Sequence, residues 1–276
     1  MVIDIPRVPL PGGPELPQVG LGVFQVPPED TADTVRTALE AGCRHVDTAQ
    51  MYRNEDGVGK GIRDAGVPRE DVFITTKLAN DAHGHDNAIT ALEGSLRRLG
   101  TDYVDLYLIH WPLPAQGKFL RTWEGFEELR RTGKVRAIGV SNFRPVDLDR
   151  LAEHGGPVPA VNQIELHPLL QQRELSEYHE GHGIVTEAWS PLAQGEVLDD
   201  EVLTGLARNH GRTPAQIVLA WHVRRGRVVF PKSVHADRIR ENLDVVDIPL
   251  DESELAAIDG LDEGRRLGPD PSTFEG

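Results

Sequence analysis

Phe73-Ile-Thr-Thr-Lys77, a helix marked by Ile89, Leu92, Leu96 and Leu99, a stop at Gly100, then Val104-Asp-Leu-Tyr-Leu-Ile-His110. This stretch decides the fold class. Each end is a short β-branched and apolar run that turns polar at its last residue. Between them, apolar residues three and four apart share one helical face, and Gly100 supplies the helix stop. Strand, helix and strand in this order make a parallel pair with a helical crossover.

The same unit recurs outward in both directions. Before it, Leu21–Phe24 reads as a short strand, followed by a helix capped by Asp30 or Thr31 and ending at Gly42. His45–Asp47 follows, with a helix over about 55–64 that Asn54 can cap. After it come a helix over Phe119–Arg131, strands at Val135–Val140, Ala160–Ile164, Ile184–Ala188 and Val228–Phe230, and helices near 146–153, 173–180 and 203–209. Thr213-Pro-Ala-Gln216 opens a further helix with a capping box and proline at its first position. An opening hairpin is expected from Val2–Leu10 and Glu15–Val19 around Pro11-Gly-Gly-Pro14. Two helices and a Gly/Pro-rich tail close the chain. Repeated alternation of this kind builds a parallel sheet with helical crossovers. Eight units in 276 residues fit one (β/α)₈ (TIM) barrel domain over 1–276 better than an open sheet.

Composition narrows the function. Charged residues make up 26% and the formal net charge is −15, which disfavours a nucleic-acid partner. The single cysteine, Cys43, excludes an internal disulfide and reads as a small buried side chain. The N-terminus lacks a basic and apolar leader pattern, and no apolar run approaches the ~20 residues of a membrane span. The expected setting is the cytoplasm, with no membrane partner.

In a (β/α)₈ barrel, chemistry gathers where strands end. Those positions here hold Asp47 and Tyr52, Lys77, His110 and Trp111, Ser141 and Asn142, Gln163, Trp189, and Lys232 and Ser233. Singly, each has a bland reading: a turn cap, a solvated charge, a rim aromatic. Together they make a proton donor. A phenol ionises near 10; a neighbouring ammonium lowers that value, a carboxylate keeps the ammonium charged, and a histidine can hydrogen-bond a carbonyl oxygen. Such a set protonates an oxygen that gains negative charge, and it needs an external hydride source, a nicotinamide cofactor. Gly57-Val-Gly-Lys-Gly61 has the wrong spacing for a dinucleotide loop and lies within a helix. Phosphate binding is instead expected late in the barrel, where Lys232, Ser233 and Arg238 sit at the start of a helix.

These segments resemble the aldo-keto reductase family, in particular its bacterial 2,5-diketo-D-gluconate reductase and prostaglandin F synthase-like branch. The matching stretches are Gly20–Phe24, His45–Ala49 with Tyr52, Phe73–Leu78, Val104–Pro112, Ile138–Phe143, Val161–Pro168, Trp189–Leu192 and Val229–Val234, in the family's order along nearly the whole chain. The resemblance implies that Tyr52 is the general acid, that Lys77 tunes it, that Asp47 supports Lys77 and that His110 orients the carbonyl. It implies NADPH as cofactor. Ser141, Asn142 and Gln163 would hold the carboxamide and Trp189 would stack on the ring. Gly22, Val23, Ser190 and Leu192 would contact the cofactor as well. Lys232, Ser233, Val234, Arg238, Glu241 and Asn242 would hold the adenosine end and its 2′-phosphate. Phe24, Met51 and Trp111 would wall the substrate pocket, the C-terminal loop would fold over the site, and the enzyme would be a monomer. Two positions depart from the branch: Ala79 stands where tryptophan is frequent, and Arg53 where glycine is common.

Two other readings compete. His83-Gly-His85-Asp86 resembles a metal motif of barrel hydrolases, although it trails its strand by several residues. A non-enzymatic subunit that keeps the barrel and its cofactor is the other, and the presence of all four catalytic residue types argues against it.

Overall fold

The computed structural model describes residues 4–276. A hairpin of β1 (Arg7–Pro9) and β2 (Glu15–Pro17) comes first; Val2 and Ile3 of the expected hairpin lie outside the described residues. The alternating body follows: β3 (Leu21–Gly22), α1 (Pro28–Glu40), β4 (His45–Asp47), α2 (Glu55–Ala65), β5 (Phe73–Leu78), α3 (His85–Leu99), β6 (Val104–Ile109), α4 (Phe119–Arg131), β7 (Val135–Ser141), α5 (Pro145–His154), β8 (Val161–Glu165), α6 (Arg173–His182) and β9 (Val185–Trp189). Then come α7 (Glu201–His210), α8 (Pro214–Arg224), β10 (Val228–Val229), α9 (Ala236–Leu243) and α10 (Glu252–Asp259).

Strands β3 to β10 pair in parallel, each with its neighbour in the chain. The sheet then closes on itself. Val19 bridges Val229 in parallel, Gly20 N donates to Val229 O (2.8 Å) and Val229 N donates to Gln18 O (2.9 Å). The expected eight-stranded barrel is therefore complete, joined by the residues just before β3. The hairpin plugs its N-terminal end: Leu10 and Leu16 pack with Phe73, Leu106, Leu108, Ala137, Val161 and Val228.

The period of two along each strand sorts the side chains. Val46, Ile74, Tyr107, Ile109, Ile138, Val140, Ile164 and Ala188 face outward into the layer shared with the helices. The alternate positions point inward and turn polar toward the strand ends: His45 and Asp47, Thr75 and Lys77, Gln163 and Glu165, Glu187 and Trp189. Apolar floor and polar top thus follow from one alternation.

Local signals for the helices held in part. Thr213 and Gln216 form the expected capping box of α8. Helix α1 instead starts at Pro28 with Pro27 in the cap position, because proline's fixed φ suits the first turn. Asp30 and Thr31 lie inside that turn, and Thr31 Oγ1 donates back to Pro27 O (2.8 Å). Asn54 precedes α2 but does not cap it. Its amide donates to Val23 O (2.9 Å) and its oxygen accepts from Thr48 (2.9 Å), fastening the β3 and β4 loops together. Cys43 is buried beside His45 O, and burial raises its thiol to about 11, so it is an inert core residue.

Candidate active site

Three strands, β4, β5 and β6, deliver the central group. Lys77 is fully buried at the end of β5, and its Nζ donates to Asp47 Oδ1 at the end of β4 (2.6 Å), to Thr48 O (3.0 Å) and to the Tyr52 phenol (3.3 Å). Tyr52 ends a single 3-10 turn, Gln50–Tyr52, that follows β4. The His110 ring stands edge-on to the Tyr52 ring, with centroids 5.7 Å apart. Asp47, Tyr52, Lys77 and His110 therefore meet as the sequence predicted.

Burial sets the charges. It would lower the Lys77 ammonium, but Asp47 and Tyr52 outweigh it and the group is raised, hence charged. Burial pushes Asp47 up, offset in part by Lys77 and by Gln163. The phenol departs from expectation. Burial raises Tyr52 above its ordinary value, Lys77 pulls it back and Asp47 adds to the rise, so the net shift is upward rather than downward. At neutral pH this phenol keeps its proton, which a donor must. Burial, then Lys77, hold His110 well below the usual imidazole range, so it is neutral; its Nδ1 is buried with no partner among the described residues.

The proposed carboxamide cradle also assembles. Ser141 Oγ donates to Gln163 O (2.9 Å). Asn142 adopts φ 64°, a left-handed conformation that asparagine tolerates. Its amide donates to His110 O (3.0 Å) and to Ser141 Oγ (3.1 Å), and its oxygen accepts from Trp189 Nε1 (2.8 Å). One side chain thus ties the ends of β6, β7 and β9. Ser190, with φ 49°, turns the chain after β9, and Leu192 lies half-buried beyond it. Gly22 runs so close to β10 that a Cβ there would lie 2.4 Å from Phe230 O. Val23 follows it and donates its N–H to Asp47 O (3.1 Å).

At the end of β10, Lys232 and Arg238 are exposed and no carboxylate pairs with them among the described residues. Ser233 is buried and accepts from His235 N (3.2 Å) at the start of α9. Val234 is exposed, Glu241 projects from α9, and Asn242 is buried below it. Two free cations beside a helix N-terminus in an acidic protein suit a phosphate.

The pocket wall assembles less completely. Phe24 lies tilted against Tyr52 (ring centroids 5.0 Å apart) and Trp111 against Phe274 of the tail (4.4 Å), while Phe24 and Met51 are both largely exposed. The tail crosses the strand ends as expected. Leu267 N and Gly268 N donate to the buried Glu165 carboxylate (2.6 and 3.1 Å), and a Cβ at Gly268 would lie 2.3 Å from the Trp189 ring. Ala79 N is held by Gln50 Oε1 (2.9 Å), and Gln50 also donates to Ala91 O and Ser95.

Glu187 escaped the reading of strand ends because it lies two residues before one. It is fully buried and accepts from Gln163 Nε2 (2.8 Å), the amide that also donates to Asp47 Oδ2 (2.9 Å). Period-two counting back from Trp189 would have found it. The metal-like motif does not converge: His85 pairs with Asp86 and Glu128 at the start of α3, while His83 is buried with no hydrogen-bond partner among the described residues. Among the described residues no three His, Cys, Asp or Glu side chains are grouped to hold an ion.

The family model described as "Aldo/keto reductase family" matches residues 18–263. This chain belongs to the aldo/keto reductase family. Among its aldo/keto reductase relatives, an aldo-keto reductase of Mycolicibacterium smegmatis (strain ATCC 700084 / mc(2)155) is 54% identical over 269 residues, covering 98% of both chains. Methylglyoxal reductase DkgA of Escherichia coli (strain K12) is 50% identical over 271 residues, again covering 98% of both. A mutant of Gox0644, solved in complex with NADPH, superposes with a TM-score of 0.95 at 47% identity, covering 98% of this chain and 99% of that one.

Proposed function

We propose that this aldo/keto reductase reduces small aldehydes and ketones to alcohols with NADPH. The observation that carries the reading is Lys77, buried without solvent and held between Asp47 and the Tyr52 phenol. NADPH, when bound, supplies the hydride.

Everything else falls to side chains. Neutral His110 hydrogen-bonds the substrate carbonyl oxygen and points it at Tyr52. The Tyr52 phenol gives its proton to that oxygen as negative charge develops there. Lys77, kept charged by Asp47, stabilises the phenolate left behind. Ser141, Asn142 and Gln163 orient the carboxamide, and Trp189 offers a ring face. Lys232, Ser233 and Arg238 hold the 2′-phosphate. A dicarbonyl such as methylglyoxal is a suitable substrate, since a relative of 50% identity carries that activity in its name. With Ala79 beside it, the pocket should also accept bulkier ketones. The branch resemblance further implies a monomer, which size-exclusion chromatography tests.

Tyr52→Phe removes the proton but no cofactor contact. Turnover of methylglyoxal should fall at least about 100-fold, the scale of general acid catalysis, while NADPH still quenches tryptophan fluorescence with an unchanged midpoint. Near-normal turnover in this variant rules the mechanism out.

A further inference from the structure

Gln163 donates both amide hydrogens to carboxyl groups, one to Asp47 and one to Glu187. The two acids are not equivalent. Asp47 also receives the Lys77 ammonium at 2.6 Å. Glu187 receives nothing further, and its Oε1 is buried with no partner among the described residues. A carboxylate in that position would leave a full charge in the barrel with a single neutral donor, which is costly. One ammonium and one amide can serve one charge well, not two.

We propose that Glu187 is a positioning residue for this reaction, held as a neutral acid behind Gln163, so that the two carboxyl groups flanking that amide carry a single negative charge between them, on Asp47. With both hydrogens engaged, Gln163 keeps only Oε1 to receive an N–H from a carboxamide. Glu187 would thus act through Gln163 on cofactor placement, and through the count of core charges on Tyr52.

The groups facing Glu187 agree. Across β8 it meets Gln163, and beyond that Asp47 on β4 and Lys77 on β5; its register partner on β10 is Val228, which does not titrate. Burial and then Asp47 raise the Glu187 carboxyl, Gln163 and Lys77 pull it back in part, and the net result is about 8. When pH rises through that value, a second negative charge enters the core. Tyr52 then becomes a weaker acid, and reduction slows. Stability follows with a definite sign. Between the ordinary carboxyl value near 4.5 and about 8, the folded protein keeps a proton that the unfolded chain has lost. Stability falls across that window as pH rises, and levels above it.

The inference rests on Tyr52 as the proton donor, and two readouts separate it from that reading. Thermal unfolding of the full chain without cofactor, at pH 5.5 and 8.5, depends on no catalytic assignment. The melting temperature of Glu187→Gln minus that of the wild type should grow by roughly 5 °C between those pH values; an unchanged difference overturns the neutral acid. Methylglyoxal reduction by NADPH is then followed from pH 6.5 to 9.5. The wild type should lose about tenfold in kcat/KM above pH 8, and Glu187→Gln should lose less than threefold. Glu187→Ala should raise KM for NADPH about tenfold with a smaller change in kcat, and Glu187→Gln should rescue it. An inactive Glu187→Gln at pH 7, or the same alkaline fall in both proteins, defeats the proposal. Tyr52→Phe run alongside reports on the underlying mechanism alone. If Glu187→Ala does not fold, Glu187→Gln carries both tests.

Discussion

Arg53 holds φ at 55°, the left-handed region, one residue past the proposed proton donor. Glycine would suit this position for a plain cause: a Cβ in that conformation costs about 1–2 kcal/mol, and the turn must reverse sharply to set the Tyr52 phenol above Lys77. Arginine tolerates the strain, but a β-branched side chain should not. Arg53→Val is expected to destabilise by about 1 kcal/mol or more in urea unfolding, whereas Arg53→Gly should leave stability unchanged or slightly higher. The identity and order of the four central residues were readable in the sequence. The direction of the Tyr52 shift was not, because the ammonium's pull is visible in residue types while the desolvation that outweighs it depends on what surrounds the ring.

At the scale of elements, α2 shows how a motif-like pattern can be architectural. Gly57 and Gly61 bare one face of the helix, toward α1, and Gly59 bares the opposite face, toward the end of α3. A Cβ at Gly59 would lie 2.0 Å from Leu99 O at the end of α3, and one at Gly61 would lie 2.5 Å from Ala32 O in α1. The glycines let three helices approach closely outside β4, far from any phosphate role. Gly59→Ala improves intrinsic helix propensity by ~1 kcal/mol, yet backbone atoms cannot yield to the new methyl. A net loss of about 2–3 kcal/mol in urea unfolding is expected, in the range of overpacked cores; a gain would mean that α2 can shift freely. Helix spans such as Phe119–Arg131 were legible from periodicity. The start of α1 and the duty of Asn54 were not, because proline geometry and a loop contact from β3 overrode the local capping signal.

The whole molecule carries a net charge of −15 and would repel a cofactor bearing phosphates. Exposed Lys232 and Arg238 at one rim of the barrel counter that field locally. Charged contacts at an exposed site are screened by salt. Lys232→Ala should therefore weaken NADPH about tenfold and NADH less than twofold, and raising salt from 50 to 300 mM should weaken NADPH in the wild type more than in the variant. Equal losses for both cofactors would remove Lys232 from the 2′-phosphate site.

The sequence by itself determined the alternation of strands and helices and the residue types at the strand ends, because these depend on spacing along one chain. Tertiary structure decided what depends on closing the ring. The bridge of Val19 to Val229 joins the two ends of the sheet. Across that closed interior Gln163 reaches Asp47, 116 positions away in the chain, and carries Glu187 into the same network. No local pattern encodes how many donors a buried carboxyl will find there. That number fixes whether the acid keeps its proton, and it exists only once the barrel is shut.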